Sequence, residues 1–151
     1  MDRRVNIFVI LRLVVGAVFL VSGFEKLMGP YQNFLYVIEG YDIFPMGQAE
    51  WIARILPWME FLTGIFLVTG LWLTQSLGSA LVLFGLFMAV VAQALIRGLD
   101  LSDCGCFGEL LSFPLPVVFL MDSIFLVVTA MLLQKKKMTG SFSLDRYFEK
   151  F

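Results

Sequence analysis

The chain has 151 residues, of which 60% are hydrophobic and 15% charged, with a formal net charge of −1 and a mean hydropathy of +0.89. A soluble domain of this size has too little interior to hide that much apolar surface, and a net charge so close to zero offers no footing for nucleic acid. With no histidine and only two cysteines, a four-ligand zinc centre and a histidine proton shuttle are both excluded.

Apolar runs of about 20 residues, the length that crosses bilayer hydrocarbon, predict four spans. The first covers residues 6–24 behind Arg3 and Arg4. No small-residue cleavage site follows it, so it reads as a retained anchor and not a removable signal. In the following loop Tyr31, Phe34, Leu35, Ile38 and Tyr41 fall on one helical face, ended by Gly40 and Pro45. This predicts a short interfacial helix that either roofs the bundle or simply anchors it. The second span covers 51–72, an uncharged turn covers 74–76, and the third and fourth spans cover 77–96 and 115–133. Gly16 with Gly23, and Gly78 with Gly85 and Ala92, repeat every seven residues, which predicts stripes where helices approach closely. The expectation is an all-α integral membrane four-helix bundle, residues 1–134, with a short interfacial helix in its first outer loop. Residues 135–151 form a basic tail that turns amphipathic, with Leu144, Tyr147, Phe148 and Phe151 on one side.

Basic residues decide orientation. Arg3, Arg4, Lys135, Lys136, Lys137, Arg146 and Lys150 lie at the two ends of the chain. Glu25, Glu39, Asp42 and Glu50 outnumber Lys26 in one loop, and Asp100, Asp103 and Glu109 outnumber Arg97 in the other. Both termini should therefore face the cytoplasm, and the loop before the fourth span should face a periplasm or the exterior.

Arg12, Glu60 and Asp122, with Gln93 as a polar companion, fall inside the spans. Each is costly in hydrocarbon and should turn inward to a partner. At ~1.5 Å of rise per residue, Glu60 and Asp122 lie roughly 18 Å from the cytoplasmic ends and Arg12 roughly 10 Å. An Arg12–Glu60 pair is expected, with Asp122 as third member or competitor. The set either fixes helix register as a buried ion pair or forms a polar pocket for a quinone head group or a proton path.

The two cysteines stand one residue apart in Asp103-Cys104-Gly105-Cys106-Phe107-Gly108, between the third and fourth spans. Cα atoms at i and i+2 can come within the ~7 Å that a disulfide needs, and Gly105 relaxes the backbone between them. Such a small ring is strained, and strain makes a disulfide a labile oxidant. Asp103 and Glu109 oppose thiolate formation, while Lys26 and Arg97 at the outer face offset them. Either cysteine could attack. Structural cysteines and two-thiolate copper(I) binding are the alternatives, but no dedicated metal set is expected.

Arg12, Gly16, Phe19, Gly23 and Lys26, then Pro57, Glu60 and Gly64, then the C-G-C-F-G run at 104–108, resemble the methylamine utilisation protein MauE group, within the wider DoxX-like four-helix membrane proteins. The likeness covers roughly residues 12–133, and the cysteine run is its most specific part. It implies a bacterial inner-membrane protein linked to thiol redox, whose namesake serves maturation of a disulfide-rich periplasmic dehydrogenase beside a thioredoxin-like partner. The residues given contain no thioredoxin-like stretch, so that partner is expected to be a separate chain. The resulting expectation is a thiol–disulfide oxidoreductase that passes electrons between Cys104–Cys106 and this partner, with quinone as the candidate cofactor and homo-oligomers open. The alternative is a non-catalytic membrane subunit that positions a redox or maturation partner.

Overall fold

The computed structural model describes residues 3–98, 114–135 and 139. Five helices make up the fold: α1 (Arg3–Met28), α2 (Tyr31–Gly40), α3 (Met46–Thr69), α4 (Leu73–Arg97) and α5 (Leu115–Gln134). The architecture is all-α, as expected, and α1, α3, α4 and α5 are each long and apolar enough to cross a membrane. The segment 99–113, with every residue singled out around the cysteines, lies outside the described residues, as does the amphipathic tail.

Prolines and glycines set the helix limits. Pro30, Pro45 and Pro114 precede α2, α3 and α5 in extended conformation, where a fixed φ favours helix entry. Gly70 ends α3 in the left-handed region, with φ 70°, and its N–H donates to the Phe66 carbonyl. The turn to α4 therefore spans residues 70–72, and Thr74–Ser76, expected as the turn, begins α4 instead. A glycine that takes positive φ at no steric cost outweighs the lack of charge at 74–76.

The four long helices alternate in direction and associate most closely as two pairs, α1 with α3 and α4 with α5. The α1–α3 pair is tight because glycine removes the spacing side chain. A Cβ on Gly23 would lie 2.5 Å from the Phe61 nitrogen, and one on Gly64 would lie 2.5 Å from the Leu20 nitrogen. The Gly16–Gly23 stripe thus behaves as expected. The α4 stripe does not: a Cβ on Gly78 or Gly85 meets nothing within 4 Å. On α4 the large residues Leu77, Leu83, Phe84 and Val91 are buried together with Ala80 and Ala94, and Gly78 and Gly85 lie off that face.

Between the pairs Phe84 packs at 4.6 Å from Phe19, and within the α4–α5 pair it stacks at 5.5 Å on Phe125 (centroid distances). This joins α1, α4 and α5 in one core with Leu67, Leu77 and Leu132. The short helix α2 forms where expected. Its Tyr31, Phe34, Leu35 and Ile38 pack with Ala49 and Ala53 of α3, and Tyr41 joins Val91, Ala94, Leu115 and Val118 of α4 and α5. It covers the end of the bundle from which segment 99–113 departs and to which it returns.

Candidate functional site

Along α1 the buried side chains beyond the packed glycines Gly16 and Gly23 are Arg12, Val15, Phe19, Ser22 and Lys26. They alternate at spacings of three and four, the repeat of a helix face turned to a partner. That face carries three polar groups into the interior. α3 answers with Glu60, and α5 brings Asp122.

The central contact is an ion pair between Lys26 and Glu60. Lys26 Nζ lies 2.8 Å from Glu60 Oε2, and the two side chains are 2% and 0% exposed. It also donates to Glu60 Oε1 at 3.0 Å and to Ser22 Oγ at 2.8 Å. Ser22 in turn donates to Glu60 Oε2 at 2.9 Å. The ammonium further lies 5.1 Å from the Phe34 ring centroid and 5.7 Å from that of Phe87, so aromatic faces cover its remaining sides. This network is satisfied as a unit, the condition under which buried charges are tolerated.

The expected Arg12–Glu60 pair is therefore corrected. Lys26, assigned to the outer face beside the thiols, is buried and takes Glu60. The first helix runs four residues past the predicted span end, to Met28, and this extension carries Lys26 inward on the Ser22 face. Arg12 lies about four turns, ~21 Å of helix, before Lys26. Its Nη1 donates to the Thr139 carbonyl at 3.0 Å. Thr139 is itself buried, and its hydroxyl donates to the carbonyls of Leu132 and Lys135 at 3.1 and 3.2 Å. Arg12 thus ties the chain beyond α5 to α1, and a pocket shared by Arg12 and Glu60 does not form.

Asp122 lies near the Lys26–Glu60 pair. Asp122 is 3% exposed, and both Lys26 and Glu60 act on it electrostatically. Gln93 does not join them, because it lies on an exposed face of α4.

Arg97, the other cation expected at the outer face, lies at the end of the bundle covered by α2. Its Nη1 donates to the carbonyls of Tyr41 and Asp42, both at 3.2 Å, and its Nη2 is 3.8 Å from the Asp42 carboxylate. A cation over the carbonyls just past the end of α2 complements that helix end. Arg97 and Leu115, on either side of segment 99–113, both engage the end of α2. Sequence reasoning missed Arg54, which lies in the predicted second span. Its Nη2 bonds Glu50 at 2.6 Å and Tyr31 at 3.2 Å, clamping the start of α2. The i,i+4 spacing of Glu50 and Arg54 was the available signal.

An apolar cavity lies between α2, α3 and α4, lined by Phe34, Val37, Tyr41, Leu56, Phe87 and neighbouring residues. Phe34 and Phe87 are also the rings that face Lys26. Among the described residues no group of acidic side chains could hold a metal ion.

Fold and site define a multi-pass bacterial membrane protein whose four-helix bundle has a charged, hydrogen-bonded interior. The family profile described as methylamine utilisation protein MauE matches residues 4–135, and the chain belongs to that family. It is similar to the methylamine utilization protein MauE of Paracoccus denitrificans, with 27% identity over 123 residues, covering 82% of this chain and 64% of the relative. It is also similar to protein TlpB of Flavobacterium psychrophilum, with 25% identity over 107 residues, covering 67% of this chain and 29% of the relative. The chain thus spans less than two thirds of each of these relatives. No solved structure matches it.

Proposed function

We propose that the protein is a membrane thiol–disulfide redox protein that exchanges electrons between Cys104–Cys106 and a thioredoxin-like partner. The observation that carries this reading is the position of the cysteine pair. Its segment joins α4 to α5, and the residues at both ends of that segment grip the end of α2. The described residues on either side of that segment, Arg97 and Leu115, lie at the α2-covered end of the bundle. Supporting features are membership of the MauE family and the i, i+2 spacing, which favours a labile disulfide. The roles of Asp103, Gly105, Phe107 and Gly108 as the supporting loop belong to the same reading.

In this reading residues 1–134 are the membrane domain and 135–151 the cytoplasmic tail. Both termini face the cytoplasm, and the cysteine segment faces the periplasm. One cysteine pair cannot carry electrons across the bilayer. The apolar cavity beneath α2, lined by Phe34, Val37 and Phe87 among others, would hold a quinone ring, which when bound would accept the two electrons and two protons that the thiols release on forming a disulfide.

The test is thiol labelling in intact cells with a membrane-impermeant reagent that shifts gel mobility. Two labels that appear only after mild reduction are expected. Labelling only after lysis overturns the orientation and the periplasmic role. Replacing both cysteines with serine should abolish electron exchange while leaving the protein in the membrane. Full function of that variant points instead to a non-catalytic subunit with structural cysteines.

A further inference from the structure

The interior between the two helix pairs holds one cation and two carboxyl groups at one level. Lys26 and Ser22 both donate to Glu60. Asp122 faces the same cluster from α5, buried, and among the described residues its Oδ2 has no hydrogen-bond partner. Among the described residues no further cation within the bundle balances it. α4 carries no charged residue before Arg97, which engages the end of α2, and α5 carries none besides Asp122. On α1, Arg12 is far along the helix at Thr139. On α3, the only other charged groups, Glu50 and Arg54, pair with each other on the exposed surface beside the start of α2.

We propose that Asp122 stands in the bundle as the neutral acid beside the Lys26–Glu60 pair and is the interior's exchangeable proton site. The physical reason is the count of charges and donors. The ammonium and the Ser22 hydroxyl are both directed at Glu60. A second carboxylate would leave a buried net negative charge with an oxygen that meets no donor, the arrangement a low-dielectric interior penalises most. A proton on Asp122 removes the charge and leaves the pair intact. Asp122 is seven residues from Leu115, ~10 Å of helix, which places the site in the half of the bundle covered by α2. Buried carboxyl groups at such depth are the usual elements of proton relays in membranes. This inference stands without the thiol reading, because it depends only on the described interior.

Infrared spectroscopy of the detergent-solubilised full chain at neutral pH tests it directly. A protonated carboxyl shows a carbonyl stretch well separated from that of carboxylates. Three results are expected: such a band is present, it shifts in heavy water, and it is lost in Asp122→Asn, which keeps the side-chain shape. Aspartate labelled with heavy carbon in its side-chain carboxyl should shift the band in the unsubstituted protein, which covers the case of a variant that fails to fold. A missing band, a band insensitive to labelled aspartate, or one that survives in Asp122→Asn overturns the proposal. The second of these would give the proton to Glu60. None of these outcomes bears on whether Cys104 and Cys106 exchange electrons.

Discussion

Replacing Lys26 with methionine should be among the most damaging single changes to this bundle. The substitution keeps the length of the side chain and removes its charge. Glu60, 0% exposed, would lose donors at 3.0 and 2.8 Å and keep only the Ser22 hydroxyl at 2.9 Å. Breaking one side of a buried pair costs about 3–5 kcal/mol, because the other charge stays behind without compensation. At 1.4 kcal/mol per factor of ten, this shifts the unfolding equilibrium by roughly two to three and a half powers of ten. The double variant Lys26→Met, Glu60→Leu removes both charges and should recover most of the loss, since an apolar replacement of a whole buried pair is often neutral. The assay is equilibrium unfolding in mixed micelles followed by helical circular dichroism, run as a double-mutant cycle. Additive losses of under about 1 kcal/mol for each single variant, the range of exposed pairs, would refute the picture of a desolvated cluster.

The contrasting pair is Arg54–Glu50. It is shorter, at 2.6 Å, but 52% and 47% exposed, so Arg54→Ala should cost no more than about 1 kcal/mol in the same assay. Gly23→Ala places a methyl group 2.5 Å from backbone at Phe61 and should cost about 1–3 kcal/mol through forced separation of α1 and α3. Gly85→Ala meets nothing and should leave thermal melts in detergent unchanged or raise them slightly, since alanine is the better helix former. Arg97→Ala removes donors to the Tyr41 and Asp42 carbonyls. Amide hydrogen exchange should accelerate in the last turn of α2 while the α1–α3 core stays protected.

The four spans and α2 were legible because their signals are local. Continuous apolar runs set the long helices, and the Tyr31, Phe34, Leu35, Ile38 spacing set the buried face of α2. The nearness of Glu60 and Asp122 also followed, because helical rise is constant and both were counted to a similar height along their helices. Their cation did not follow. Lys26 looked like a loop residue under a span drawn to Phe24, although its spacing from Ser22, Phe19, Val15 and Arg12 carries it on the buried face. Gln93 and the Gly78–Gly85 stripe failed for a related reason. Periodicity shows that residues share a side of a helix, not which side meets another helix.

The sequence by itself determined the class of protein, the helix order and the presence of two cysteines one residue apart, since each depends on composition or on spacing along one segment. Tertiary structure decided which charges meet. The glycine contacts set the α1–α3 register that brings Lys26 level with Glu60, and the direction of α4 turns Gln93 away from them. The fold of the chain beyond α5 then supplies Arg12 with the Thr139 carbonyl. Pairing inside a membrane depends on helix rotation and register, and those are set by the packing of whole helix faces.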